Sequence, residues 1–485
     1  MPSLLICQSC VQEEYLRAKM ADQGSLGQCS FCSDSGVVVI ELEELAEFVH
    51  QAFESHFEWT SSEPEGIDLL AAREGDWIQP GVPVAEVIAE VLGADEEIGE
   101  AIRVLLSDTY GPVGRDALIN DDPYDPEAQY QEREVQSYQF RDGWTSFCWE
   151  IENRARFFNE SAKAALDELF EGIGSLRTRN GDSVILDLSP GDCLFRARTA
   201  ETAADMKQIV KDLPISLGPP PGAVAEAGRM NADGIAIFYG ATDVDTCINE
   251  IRPPVGSFVV CGKFELLRRL RLLDFTRLAD VLIRGSLFDP QHVSALERAA
   301  FLRVFEEEIS RPVIPGRESR MYLPTQVVAE YLASHPDVQI DGLVFTSSQK
   351  YLNLDRGGEG SEDFEEGKNV VLFKDSSRLA PSELPKNIDV SVSLHVSDPD
   401  EKWPFVWISE LVLPEDDGEK YSGINPFDLI DANQDRAEDS REISVKLNLA
   451  SVEVRKIVGV SYQSHGLDIS RSRFERSELD DGSDF

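Results

Sequence analysis

Ser257-Phe258-Val259-Val260-Cys261-Gly262-Lys263-Phe264 is a run of β-branched and aromatic residues that reads as a buried strand. Val184-Ile185-Leu186-Asp187-Leu188, Gly234-Ile235-Ala236-Ile237-Phe238-Tyr239 and Asn369-Val370-Val371-Leu372-Phe373 have the same character. Helical periodicity separates them, notably from Asp243 to Ile251 and from Gln326 to Ser334. Strands alternating with helices over residues 181–376 predict a mixed α/β domain, and the chain as a whole reads as multidomain α+β.

Four short polar islands interrupt this apolar text: Leu194-Phe195-Arg196, Gly228-Arg229-Met230-Asn231, Asn249-Glu250-Ile251-Arg252-Pro253 and Phe345-Thr346-Ser347-Ser348. Charged side chains among buried strands are costly unless paired or used, so a fold that gathers them would build a pocket. Two guanidinium groups, Arg196 and Arg229, suit a bidentate anion such as a pyrophosphate. Pro253 disfavours helical geometry at Arg252, which ends the preceding helix with Glu250 near its exposed edge. A carboxylate fixed there can stabilise positive charge developing on an anomeric carbon. Tyr239 ends a strand, where its ring can stack on a flat heterocycle, and Ser347 can hold a ligand amide or an attacking oxygen. Plainer roles stay open at this level: Arg229 or Arg252 as a structural partner of Glu250, and Ser347 and Ser348 as turn residues.

The chain has 485 residues, enough for two to four structural units, and 42% apolar residues suit a globular protein. With 89 acidic against 45 basic residues the net charge is −44, a surface that repels phosphate backbones and anionic lipid. Broad nucleic-acid binding is therefore not expected, and arginines inside a pocket are the local exception that admits a small anion. No apolar run nears the ~20 residues that span a bilayer, and the first residues lack the basic start of a secretory signal. The expected compartment is the cytoplasm, without membrane association.

Ahead of the mixed domain, residues 1–35 contain Cys7-x2-Cys10 and Cys29-x2-Cys32, eighteen residues apart. Doubled CxxC pairs offer four thiolates to one structural zinc in a ribbon, with Gly24 and Gly27 placed where a hairpin would turn. Four reduced cysteines or a redox pair is the alternative. Residues 36–180 read as all-helical, with amphipathic stretches at Ile40 to Val49, Val84 to Leu92 and Asp95 to Ile102. One long helix is expected from about Trp144 to Ile173, after a loop rich in Pro and Asp near residues 120–126. Behind the mixed domain, residues 377–468 form an extension whose strands near Ser444 to Leu447 and Val454 to Tyr462 would return to the sheet. An acidic insertion over Pro414 to Glu442 and an acidic tail over 469–485 complete the chain.

Phe195-Arg196, Gly228-Arg229-Met230-Asn231, Ile237-Phe238-Tyr239, Asn249-Glu250-Ile251-Arg252 and Gly342 to Ser348, in this order, resemble the RES domain, a family named for its Arg, Glu and Ser. Tyr322-Leu323-Pro324-Thr325-Gln326 also resembles the family's segment ahead of the Ser strand. The helical region resembles the HEPN-like domain found before some RES domains. The resemblance implies an ADP-ribosyltransferase-like fold in a toxin or phage-defence effector that consumes NAD, as a glycohydrolase or a phosphorylase. It sets Arg196 and Arg229 on the NAD phosphates and Tyr239 against a ring, with Glu250 at the forming oxocarbenium and Ser347 on the nicotinamide ribose or amide. The rival readings are an ADP-ribosyltransferase acting on protein or nucleic acid, and a nucleotide sensor without chemistry. An antitoxin or regulatory protein is an expected partner, and homo-oligomerisation is compatible. The Arg-x4–6-His motif of HEPN ribonucleases has no counterpart at any of the six histidines, so the helical domain is expected to regulate or assemble.

Overall fold

The computed structural model describes residues 3–61, 64, 77–112, 122–311, 313, 316–347, 367–381, 388–395, 405–412 and 439–460. Ser348, the acidic tail and nearly all of the acidic insertion lie outside the described residues.

The first unit starts with strands β1 (Leu5–Cys7), β2 (Ser25–Gln28) and β3 (Ser35–Glu41), an antiparallel sheet in the order β1-β3-β2. Helix α1 (Glu14–Gln23) fills the connector where a bare hairpin was expected. Its cause is local: the Glu13 side chain accepts from the amide of Leu16, and Leu16 and Met20, four apart, are both buried. Helix α2 (Leu42–His56) follows without a gap, burying Leu42, Leu45, Ala46, Val49, Ala52 and Phe53 along one stripe. Helices α3 (Val84–Leu92) and α4 (Glu96–Tyr110) pack beside it on a shared apolar core. The region departs from an all-helical reading through a small sheet of β4 (Phe57–Trp59), β5 (Val82–Pro83) and β6 (Gln129–Glu132).

The expected long helix is broken into α5 (Tyr138–Asn153) and α6 (Glu160–Leu169). Phe158 adopts a left-handed backbone with φ of 55°, and the Asn159 side chain caps the second helix by accepting from the amide of Ala162. Both helices pack on the second unit. Phe140, Phe147, Ile151 and Leu166 share a core with Phe301 and Phe305, and Trp144 meets Phe305 edge-on at 5.1 Å.

That second unit is built on an eight-stranded sheet. Its strands are β7 (Ile185–Leu188), β8 (Cys193–Ala200), β9 (Phe238–Ala241), β10 (Phe258–Leu266), β11 (Leu270–Asp274), β12 (Gly342–Thr346), β13 (Lys368–Leu372) and β16 (Val445–Lys456). Their order is β16-β10-β8-β9-β13-β12-β11-β7. Among the described strands only β11 and β12 run parallel, which demands the long crossover that carries helices α10 (Pro290–Ser310), α11 (Glu318–Met321) and α12 (Leu323–Ser334). Successive residues of β12 face opposite layers: Leu343 and Phe345 join the core beneath these helices, while Val344 joins the core of the other face. Helices α7 (Ala203–Lys211) and α8 (Leu213–Leu217) cover that other face, and α9 (Val244–Ile251) follows β9. A hairpin of β14 (Ile388–His395) and β15 (Phe405–Val412) precedes β16, which pairs antiparallel with β10.

Two details set up the pocket. The strand expected from Gly234 begins only at Phe238, because Gly234 turns with φ of 81° and the Asn231 side chain takes the carbonyls of Ala232 and Ile235. Strands β8 and β9 pair only at Phe195 and Ala241 and then diverge. The two units also meet at the start of α10. Phe288 is buried in the first unit's core, and the buried rings of His292 and of His56 at the end of α2 lie 6.1 Å apart.

Candidate active site

The divergence of β8 and β9 opens a cavity of about 410 Å³, lined by Arg196, Arg229, Tyr239, Glu250, Phe345 and Asn369 among others. This volume falls within the range of small-molecule sites. Each of the four polar islands contributes to the cavity or touches a residue that does.

Arg196 projects from β8 at the point of divergence, its guanidinium carbon 5.5 Å from the centroid of the Phe238 ring. Among the described residues its Nη1 is shielded from solvent and has no hydrogen-bond partner. Burial, followed by the neighbouring charge of Arg198, pulls its pKa down to about 10, which leaves it a cation at neutral pH. A charged donor in that condition is expensive unless a ligand supplies the acceptor.

Arg229 is held by a different device. Its Nη1 donates to the carbonyls of Ile309 at 2.6 Å and Arg311 at 3.0 Å, at the end of α10. Among the described residues, its Nε and Nη2 make no hydrogen bond and no ion pair joins it to Glu250. Burial lowers its pKa, opposed by Tyr322 and Glu250. Its guanidinium carbon lies 5.4 Å from the Tyr322 ring centroid.

The loop presenting Arg229 is clamped from three sides. The Tyr239 hydroxyl accepts from the amide of Met230 at 2.7 Å and donates to Asn231 Oδ1 at 3.1 Å. Thr325 Oγ1 donates to the carbonyl of Arg229 at 2.5 Å, and Gln326 Nε2 to that of Gly228 at 2.7 Å. Gly228 has no room for a side chain, since a Cβ there would stand 2.5 Å from Asn231 Oδ1 and 2.8 Å from the Tyr239 hydroxyl. Burial drives the Tyr239 phenol upward, so the hydroxyl keeps its proton and this network persists at neutral pH.

Glu250 lies one residue before the end of α9, which Asp243 caps by accepting from the amide of Thr246. Arg252 ends the helix in the left-handed region, with φ of 44° and ψ of 57°, outside right-handed helical geometry but not in the extended region that a following proline favours. Glu250 Oε1 accepts from Ser347 Oγ at 2.6 Å and from Asn369 Nδ2 at 2.9 Å. Among the described residues, Oε2 has no hydrogen-bond donor. Cys247, one helical turn earlier, donates its thiol to the carbonyl of Phe195 at 3.1 Å, where the strands part, and burial pushes that thiol up to about 12.

Arg196, Arg229, Tyr239 and Glu250 thus share one cavity, and Ser347, fully buried, reaches it through Glu250. From sequence, Asn369 reads only as part of a strand, and Tyr322, Thr325 and Gln326 only as part of the segment ahead of the Ser strand; none of them carries a site role there. The visible signal for Asn369 was an amide opening an otherwise apolar strand, and for Thr325 and Gln326 two polar residues that α12 buries.

A second cluster lies in the first unit, where the thiols of Cys7, Cys10, Cys29 and Cys32 all fall within 4.8 Å of one another. Sulfur separations of 3.7 Å for Cys7–Cys10, 3.5 Å for Cys7–Cys32 and 3.8 Å for Cys10–Cys29 approach the edge of a tetrahedron, about 3.8 Å for metal–sulfur bonds of ~2.3 Å. Burial raises the Cys29 thiol, but backbone amides of Cys32, Phe31 and Cys7 outweigh it and bring it down to about 7. The donor set fits a metal ion.

The RES domain family model matches residues 195–407, and the model of HEPN/RES N-terminal domain 1 matches residues 22–165. The chain therefore carries a RES domain behind a HEPN/RES N-terminal domain. No curated protein and no solved structure matches it. Among the described residues no helix is long and apolar enough to cross a membrane.

Proposed function

We propose that the pocket takes NAD and breaks its nicotinamide–ribose bond, passing ADP-ribose to water or phosphate. One observation carries this reading: among the described residues, two arginines with unpartnered donors share a cavity with a carboxylate whose one oxygen is fixed and whose other has no donor. The RES match supports an NAD-directed enzyme of the toxin kind. Arg196 and the outer edge of Arg229 would bind the pyrophosphate, and Tyr239 and Phe345 would bound the ring site. As the C1′–N bond lengthens, its electron pair leaves with neutral nicotinamide and the ribose takes on oxocarbenium character. Glu250 Oε2 is the atom that stabilises that charge; the acceptor oxygen then bonds to C1′ and gives up its proton. Ser347 contributes by holding Glu250 and, through the same placement, lies close to where the nicotinamide ribose or amide would sit.

Incubating the purified full chain with NAD, with and without inorganic phosphate, tests the reading. Free nicotinamide accompanied by ADP-ribose, or by its phosphate when phosphate is supplied, is the expected product set. Intact NAD in both conditions overturns it, and label retained on a macromolecule would instead favour transfer. We further propose that the four cysteines hold a structural zinc that fastens β1, β2 and β3. An antitoxin or regulatory protein in the cytoplasm would be needed to restrain such an activity.

A further inference from the structure

Asn369 is the second residue of β13, and its neighbours along the strand are Val370, Val371 and Leu372. A buried amide inside such a run is costly unless its hydrogen bonds are met. Its place is fixed from both sides, because it pairs with Phe345 of β12 and with Ala241 of β9. The side chain is only 7% exposed, lines the cavity and donates Nδ2–H to Glu250 Oε1 at 2.9 Å. Ser347 Oγ donates to that same oxygen at 2.6 Å. Glu250 itself needs such support. It stands at the C-terminal end of an eight-residue helix, where the peptide dipoles present negative charge and offer a carboxylate nothing.

We infer that Asn369 is a positioning residue for the reaction: with Ser347 it pins Oε1 of Glu250 against the sheet, so that Oε2 alone is presented to the ribose. The inference rests on the NAD reading for its reaction but not for its geometry. One donor lies in β13 and the other directly follows its antiparallel neighbour β12, and among the described residues no other side chain donates to this carboxylate. A ladder that is rigid on both sides therefore sets the carboxylate's rotation about its last bond. Asn369 acts through Glu250, and its loss should reduce turnover without weakening NAD binding.

The test compares the wild type with Asn369→Asp and Asn369→Ala in the full chain, measuring kcat and KM for NAD together with thermal denaturation. Asn369→Asp keeps the shape of the side chain but turns the donor into a carboxylate. A packing role predicts that it is harmless, whereas the positioning role predicts a fall in kcat of about 10- to 100-fold, at least as large as for Asn369→Ala, with KM within about twofold. Wild-type kcat in a folded Asn369→Asp protein overturns the inference and leaves the NAD reading intact. If the wild type itself consumes no NAD, that reading falls, and crystal structures of the wild type and Asn369→Asp decide the geometry. A Glu250 carboxylate displaced from Ser347 in the variant supports the clamp, and an unmoved one overturns it. Should Asn369→Asp denature, Asn369→Ala carries the same comparison.

Discussion

The four-cysteine cluster and the arginine–glutamate pocket gather their side chains by opposite routes. The cysteines span residues 7–32, and each CxxC pair lies within four consecutive residues. The pocket draws on Arg196, Glu250 and Asn369, which meet only because the sheet order sets β8, β9 and β13 side by side. The first site collects like groups that an added cation would reconcile. The second holds opposite charges in one cavity and, among the described residues, leaves one oxygen of its carboxylate without a donor. A local site is set by spacing, a distributed one by topology, and the two should fail differently when perturbed.

The largest effect is expected at the distributed site. Glu250→Gln should cut NAD loss by about 100- to 1,000-fold in a protein that still folds, read as nicotinamide release alongside circular dichroism. Arg229→Ala should cost about 10- to 100-fold and also lower the melting temperature, since its Nη1 ties the loop to the end of α10. Arg229→Lys should not rescue it, because an ammonium lacks the fork that bonds two carbonyls while leaving other donors for an anion. Chelating the metal, or Cys29→Ser, should loosen the first unit with a smaller effect on NAD turnover, followed by hydrogen exchange over residues 5–41. Equal loss in both units would collapse the distinction between them. Gly228→Ala, by overpacking, should cost about 1–3 kcal/mol in thermal denaturation and reduce NAD affinity.

The smallest effect concerns the histidines between the units. Burial holds His56, with His292 adding to the effect, below the ordinary 6.5, and burial does the same to His292. Arg133 and Glu132 face the former and Asp289 the latter. Both rings take up a proton less readily in the fold than in the unfolded chain, so their contribution is full above pH 6.5 and fades as pH falls below it. Melting temperature measured between pH 7.5 and 5.5 should drop by a few degrees more in the wild type than in the His56→Gln/His292→Gln protein.

Much of this was legible in the residues themselves. Arg196, Arg229 and Glu250 stand out because a charge among Val, Ile and Phe calls for a use, and the cysteine spacing speaks for itself. The break between α5 and α6 was not legible, since it depends on a left-handed Phe158 that no periodicity betrays. Asn231 ended the expected strand early by taking carbonyls that a ladder would have used. Asn369 stayed hidden because its meaning comes from being opposite Phe345 and Ala241, and strand order cannot be inferred from strand composition.

Helix α10 has 21 residues and is therefore about 30 Å long. Phe288 and His292 embed one end in the first unit, and the carbonyls of Ile309 and Arg311 grip Arg229 at the other. It is a strut with both ends built in. A push along its axis from the first unit would have to arrive at the guanidinium, so the place where an anion is held in one unit is measured from a foundation laid in the other.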